Sequence, residues 1–356
     1  MDFQLSDDQR ALRSGMRDLL GAVFDRDRLR AAVERDGALD RSLWRELGAA
    51  GFFALRLPEE EGGVGLGLPE AVLLFEEAGR ALLPGPLVAT HLAAGLVKGA
   101  AEGEAVATAV AGELPVAHLA EADAVLVVGA EPSAGEATGA ESLTGEALRA
   151  FVAAARPVRS MDPLTPLHCA PAASVRTRAD AERAPAATER TPVHAGRFRF
   201  EAALLTAAEQ LGSAARTTEA AVQHAGSREQ FGSLVGAFQA VKHLCADMLA
   251  RTEPARAAVY AAAVTGDPVE IAAAKLLADE AAVRNARDCL QIHGGMGFTW
   301  EADVHLHLKR AWLRAASWLT GAGAEELLAA DLGAAGRLPR SSAAPGRPVR
   351  ESGGGG

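Results

Sequence analysis

From Glu201 onward the chain repeats apolar residues at intervals of three and four. Leu204, Ala208, Leu211, Ala215, Thr218 and Val222 are expected to form one continuous buried face on a helix of about six turns. The segment SREQFG interrupts this pattern. Further helices are expected from about Ala237 to Arg251 and from about Pro254 to Val264. Asp267, Pro268 and Glu270 then supply a cap, an N1 proline and a capping-box acid for a fourth helix that runs to Ile292. After HGGMG, the residues from Glu301 to about Leu319 can form another. Faces of this length are stable only when they close on one another, so the C-terminal half is expected to be a four-helix bundle. Apolar residues make up 49% of the chain but aromatics only 4%, and alanine dominates the apolar fraction. That composition suits close-packed helices better than a β-sandwich.

The N-terminal part reads as helices too. Ser6 and Gln9 form a capping box, and Leu12, Met16, Leu19, Leu20 and Val23 then recur at helical spacing. A short helix around Leu43 to Leu47 ends near Gly48 and Gly51. The glycine-rich stretch LPEEEGGVGLGLPE closes on Pro69 at the start of a helix from Glu70 to Arg80. Between Glu104 and Phe200 the character changes: VATAVAG and ADAVLVVGA are short β-like runs, followed by a stretch rich in proline and alanine. No fixed-period repeat is visible. The fold class is therefore mainly α. Residues 1–103 form an N-terminal helical domain, 104–199 a small reduced β domain, 200–332 a C-terminal helical bundle and 333–356 a disordered tail. A chain of 356 residues has length enough for two or three such packing units.

A formal charge of -10 argues against binding to nucleic acid or to anionic membranes. An anionic ligand would need a local basic pocket, and Arg228, Lys242, His243, Lys309 and Arg310 stand near the motifs described next. Cys169, Cys245 and Cys289 are too few and too scattered for a disulfide framework or a zinc site, so no metal is expected. The start MDFQLSDDQR lacks the pattern of a signal peptide, and no run of 18 apolar residues occurs. The expectation is a soluble protein of the reducing cytoplasm.

Two constellations carry candidate chemistry. In SREQFGSLVGAFQAVKHLCADM, a short glycine-containing loop between long helices lets Arg228 and backbone groups reach an anion, with Phe231 and Gly232 in the loop. Gln239, early in the next helix, offers both a donor and an acceptor. Such a set could hold a pyrophosphate; equally, Phe231 and Phe238 suit core positions and Lys242 and His243 a solvated face. In QIHGGMGFTWEADVHLHLKRA, Gln291 precedes Gly294, Gly295 and Gly297, which remove side chains where backbone approaches a phosphate or a neighbouring helix. A plain helix C-cap would use the same glycines.

Together and in this order, these segments resemble the acyl-CoA dehydrogenase family. The resemblance extends to LSDDQRALRSGMRDLL, LWRELGAAGFFALRLPEEEGGVGLG and FEEAGRALLPGPL at the N-terminal end, and to AAEQLGSAARTTEAAVQHAGSREQFG at the first bundle helix. It implies a helical, β, helical three-domain fold with FAD held between subunits. Arg228, Phe231, Gly232 and Gln239 match positions that contact the pyrophosphate and adenine side of the cofactor. Gln291, Gly294 and Gly295 match the segment that reaches it from a neighbouring subunit. The implied reaction is α,β-dehydrogenation of an acyl-CoA thioester: a carboxylate removes the α-proton while a hydride passes from the β-carbon to the flavin, and electrons leave to an acceptor flavoprotein.

The chain departs from that family in two places. Many members carry the base in a Glu-Gly-Thr segment beyond the GGxG turn, and Trp318 stands at the equivalent position here, with no acid from Arg310 to Ala324. A minority carry it on the first bundle helix, where Glu201 and Glu209 are the candidates. Glu201 also suits a helix N-terminus, and Glu209 a polar place among alanines. The Thr-Glu and Ser-Asp stretches that support the flavin ring in the β domain have no counterpart between Glu104 and Phe200. In some bacterial members two different chains pair into a heterotetramer, the shorter chain completing the FAD site, and this chain resembles such a partner. Such heteromers are linked to bulky, steroid-derived thioesters. A homo-oligomer, a non-catalytic partner subunit and a biosynthetic relative with altered chemistry are the alternatives.

Overall fold

A computed structural model describes residues 4–112, 114–128, 139–170 and 190–335. The first helix, α1 (Asp7–Val23), starts at the expected capping box: Ser6 accepts from the Gln9 amide, and the Gln9 side chain accepts from the Ser6 amide. It buries Met16 and Leu20. Then come α2 (Arg26–Glu34), α3 (Arg41–Ala49), α4 (Leu68–Arg80) and α5 (Leu87–Ala93). Their core is aromatic: Trp44 and Phe53 lie 4.7 Å apart between ring centres, and Phe52 and Phe75 5.1 Å.

The β region holds more order than its weak sequence signal suggests. Strand β1 (Ala107–Ala111) runs parallel to β3 (Ala124–Val128), in register from Ala107 with Ala124 to Ala111 with Val128. Antiparallel to β3 lies β4 (Gly139–Leu143), and antiparallel to β4 lies β7 (Arg190–His194). A helix, α6 (Gly145–Ala154), follows β4. A second, three-stranded sheet orders β2 (Val116–Ala117), β6 (Leu167–Cys169) and β5 (Arg156–Val158). The two β-like sequence runs are thus β1 and β3, hydrogen-bonded neighbours.

The C-terminal helices are α7 (Ala195–Ser227), α8 (Gln239–Thr265), α9 (Pro268–His293), α10 (Val304–Ala315) and α11 (Gly321–Ala335). A small hairpin of β8 (Glu229–Gln230) and β9 (Ser233–Leu234) joins α7 to α8. Three expectations need correction. The two helices foreseen on either side of Pro254 are one helix, because Met248, Thr252, Ala255, Val259 and Ala262 keep a single buried face through the proline. Packing along that face outweighs the one backbone hydrogen bond that proline removes. The helix foreseen from Glu301 to Leu319 ends at Ala315, and α11, which was not expected, follows it. On α7, Val222 is exposed, and burial passes to Ala221 and Ala225 instead. Of the tail, residues 336–356 lie outside the described residues. Among the described residues, no helix is long and apolar enough to cross a membrane.

Helix α4 seats the N-terminal helices on the bundle by lying directly on α7. A Cβ on Gly212 would fall 1.8 Å from the carbonyl oxygen of Glu76, and one on Gly79 2.0 Å from that of Glu209. The two backbones therefore touch, and one hydrophobic core runs from Leu20, Trp44 and Phe75 through Leu204 and Leu211 to Ala274 and Leu306.

Candidate functional site

The residues of the two sequence constellations meet at one end of the bundle. A small core joins Ala221 and Ala225 of α7, Met248 of α8 and Cys289, Leu290 and Ile292 of α9, with Val235 and Val241 packed against it. It pins the hairpin loop, the start of α8 and the end of α9 together. The rings of His224 and His293 stack across this junction with centroids 4.1 Å apart.

Around that core the candidate side chains face outward. Arg228, Gly232, Gln239, Gln291, Gly294 and Gly295 are all exposed. Phe231 is 92% exposed, and its φ of 54° puts a bulky residue in the left-handed region. That conformation costs about 1–2 kcal/mol, and the edge-on neighbour Phe238, at 6.2 Å, is its only ring contact among the described residues. Phe231 is thus strained and exposed at once. Gly294 ends α9 with φ 62° and ψ -144°, outside the usual left-handed cap and in a region open essentially to glycine alone. Gly295 has no such need: its φ is not left-handed, and a Cβ there would meet nothing within 4 Å. Nearby, a cleft of about 700 Å³ opens between α1, α2 and the ends of α7 and α9, lined by His224, Ser227, His293 and Met296 among others. None of the seven candidate residues lines that cleft, which adjoins them through Ser227, His293 and Met296.

Of the other basic residues named from the sequence, Lys242 and His243 are exposed on α8, and Lys309 lies over the Trp300 ring at 4.8 Å. Arg310 is not at this end of the bundle. It is buried, donates from Nε to Asp162 and from Nη1 to the Leu83 carbonyl at 3.1 Å, and belongs to a second site.

This second site is a cleft of about 170 Å³ where α5, β1, α7 and α10 meet, and Trp318, Glu209, Arg310 and Arg314 all line it. Trp318 stands in a left-handed conformation, φ 64°, with its ring 5.8 Å from that of Phe198. Glu209 is buried and accepts from Nη2 of Arg314 at 2.7 Å. Burial pushes the Glu209 carboxyl up, against the pull of Arg314 and Arg310, and lowers Arg314 to about 10; the 2.7 Å contact holds the two as an ion pair. Glu201 is elsewhere. It does not line this cleft, and it takes hydrogen bonds from Arg56 at 2.8 Å and Arg197 at 2.8 Å. Burial would raise its pKa, but those two arginines outweigh it and hold the carboxyl below the usual range. Its place is thus a structural clasp between α7 and the segment after α3.

Sequence reading missed Arg314, Thr206, Thr165 and Asp162. A signal for the first existed: Leu306, Arg310 and Arg314 follow one another at intervals of four, so both arginines occupy the register of a buried leucine. Asp162 had none, because its partner Arg310 lies 148 residues away.

Comparison with known proteins finds matches at both ends of the chain. The family described as "Acyl-CoA dehydrogenase, N-terminal domain" matches residues 6–103, and that described as "Acyl-CoA dehydrogenase, C-terminal domain" matches residues 195–336. The acyl-CoA dehydrogenase IpdE2 of Mycobacterium tuberculosis is 37% identical over 80% of this chain and 84% of its own length. The acyl-CoA dehydrogenase FadE34 of the same organism is 36% identical over 85% of this chain and 46% of its own length. Among solved structures, a glutaryl-coenzyme A dehydrogenase in complex with glutaryl-CoA superposes with a TM-score of 0.76 at 19% identity, covering 94% of this chain and 97% of that one. The ChsE4-ChsE5 complex of Mycobacterium tuberculosis gives 0.74 at 22%, covering 95% and 100%. Both family models and a relative 37% identical over most of its length therefore agree: this chain belongs to the acyl-CoA dehydrogenase family.

Proposed function

We propose that this chain is one subunit of a hetero-oligomeric, FAD-dependent acyl-CoA dehydrogenase and completes the cofactor site of a second, related chain. The observation that carries this reading is a division within one molecule. The residues suited to a nucleotide stand exposed and uncovered at the bundle end, while the cleft that should hold the base offers Trp318, and a Glu209 already tied to Arg314. In this reading the three units are residues 1–103, 104–199 and 200–332. Bound FAD accepts the hydride removed from the acyl chain. The part of this chain is to hold the nucleotide: Arg228 carries the charge opposite the pyrophosphate, Gln239 and Gln291 supply amide groups, and Gly294 and Gly295 let backbone approach it. The proton-abstracting carboxylate and the contacts to the flavin ring then belong to the partner chain.

Co-expression with an acyl-CoA dehydrogenase-like chain from the same genome tests this, read by native mass, flavin per subunit and reduction of an electron acceptor by acyl-CoA. The expected result is a colourless chain alone and a yellow, active complex. Arg228→Ala within the complex should weaken flavin retention roughly 10-fold, about 1.4 kcal/mol. A yellow homo-oligomer of this chain that turns over acyl-CoA unaided would sink the proposal.

A further inference from the structure

The larger cleft, of about 700 Å³, has an unbalanced lining. On its α7 wall Arg216, Ala220, Gln223 and Ser227 follow one another at intervals of four, three and four, so one stripe of the helix faces it. The acids of the lining are all engaged. Glu77 accepts from Nε and Nη2 of Arg17 at 2.8 and 2.6 Å, Asp303 pairs with Arg26 and Arg30, and Asp25 caps α2 by accepting from the Arg28 amide at 2.9 Å. Arg80 is taken by Glu219. Arg216 is left over: it is half-buried, and its guanidinium donates no hydrogen bond among the described residues. Its one ion-pair partner there, Glu219, stands at 4.0 Å and already holds Arg80. His307, only 7% exposed, lines the same cleft. Burial, and then Arg216, Arg314, Arg310 and Arg80, lower this ring to about 3; every charged group acting on it is an arginine, so the potential there is positive. Oγ of Ser213, one turn before Arg216, lies 2.8 Å from Nδ1, and with that hydroxyl donating, the neutral ring carries its proton on Nε2. Among the described residues Nε2 has no hydrogen-bond partner, and unlike Nη2 of Arg310 and Nη1 of Arg314 it is not sealed from the cleft.

We infer that this cleft binds a phosphate group, held by the Arg216 guanidinium, by Nε2–H of His307 and by the side-chain amide of Gln223, which has no partner among the described residues. The donors decide between anions. A carboxylate presents two oxygens, too few for a forked guanidinium and two further donors, whereas a phosphate ester presents three strong acceptors. The volume exceeds what the ion needs and falls in the range of small-molecule sites, roughly 300–1,000 Å³. The rest of an ester therefore has room beside the stacked rings of His224 and His293. None of the seven candidate cofactor residues lines this cleft, so the site does not rest on the subunit proposal.

Calorimetric titration of the full chain with inorganic phosphate and with phenyl phosphate, at an ionic strength held constant with chloride, decides the matter. It needs neither flavin nor a partner chain, so its failure leaves the subunit proposal standing. Phenyl phosphate should bind saturably and roughly 10-fold or more tighter than benzoate, about 1.4 kcal/mol or more. Arg216→Gln removes a cation without stranding an acid, so it should melt no lower than the parent and yet lose roughly 10-fold or more in affinity. Gly21 of α1 lines the cleft, and a Cβ there would meet nothing within 4 Å. Gly21→Leu should therefore fill the cleft without a clash and abolish binding at an undiminished melting temperature. Equal affinity for the two phosphates assigns the site to the free ion, and a preference for phenyl phosphate of roughly 10-fold assigns it to an organic ester. In the complex with a partner chain, Arg216→Gln should leave flavin retention unchanged, in contrast to Arg228→Ala; loss of flavin would make the cleft part of the cofactor site and overturn the inference. It is overturned too if neither phosphate binds, if benzoate binds as tightly, or if Arg216→Gln or Gly21→Leu binds like the parent.

Discussion

Glu209 ties two helices of the bundle together through one buried side chain. It stands on α7, at the helix's contact with Gly79 of α4, and its carboxylate meets Arg314 of α10 at 2.7 Å with both partners buried. Removing one member of such a pair strands the other charge in a low-dielectric interior, which costs about 3–5 kcal/mol, whereas removing both is often near neutral. Glu209→Ala should therefore lower the unfolding free energy by about that amount, and Glu209→Gln/Arg314→Gln by much less, in urea titrations followed by circular dichroism. Equal losses in the two variants would show that the pair contributes through packing and not through charge. From the sequence, Glu209 suited a polar place among alanines, because its neighbours on α7 are alanines and its partner lies 105 residues on. A residue's local surroundings were readable; a partner brought in by the third dimension was not.

At the scale of elements, the contact of α4 with α7 sets how the N-terminal helices sit on the bundle. Two glycines permit it, and each faces a carbonyl oxygen of the opposite helix. Backbone cannot step aside as a flexible side chain can, so Gly212→Ala must part the helices. Overpacking in cores costs about 1–3 kcal/mol, and this site should reach the upper end of that range or pass it. A melting-temperature loss no larger than that of an exposed glycine, such as Gly15→Ala, would count against the backbone contact as the cause. What the sequence revealed about elements follows the same logic of local against distant causes. The Ser6–Gln9 box and the Asp267 cap are local chemistry, and both helices begin where those residues predicted. The run through Pro254 depends on a buried face shared with other helices, and local rules broke it in two. The second site was hidden for a related reason: Trp318 drew attention only through family resemblance, and Arg314 went unnoticed although it shares a register with Leu306.

For the whole molecule, two buried histidines in different parts of the shared core couple its stability to pH. His91 of α5, with Nδ1 3.1 Å from the Phe52 carbonyl, is lowered by burial from 6.5 to about 4. His307 of α10, with Nδ1 2.8 Å from Oγ of Ser213, is lowered by burial, with four arginines adding to it, to about 3. Both are neutral in the folded chain where the unfolded chain, with a histidine pKa near 6.5, already takes up protons. A depressed folded pKa gives stability that is complete above the unfolded value and is lost as pH falls, here from about 6.5 towards 4. His224 and His305 are lowered too, and act in the same sense. Glu209 and Asp279, raised by burial, oppose the trend at the acid end, since their contribution is present at low pH and lost as pH rises. Each buried histidine should remove up to about 1.4 kcal/mol per pH unit across its window. Unfolding free energy measured in urea should thus fall between pH 6.5 and pH 4, and the His91→Asn/His307→Asn variant, though less stable at pH 7, should lose distinctly less over the same interval. Asn carries no titratable group, so a parallel pair of pH profiles would assign the loss to other residues. Because one core joins α4, α7 and α10, those three helices should unfold in a single transition at every pH.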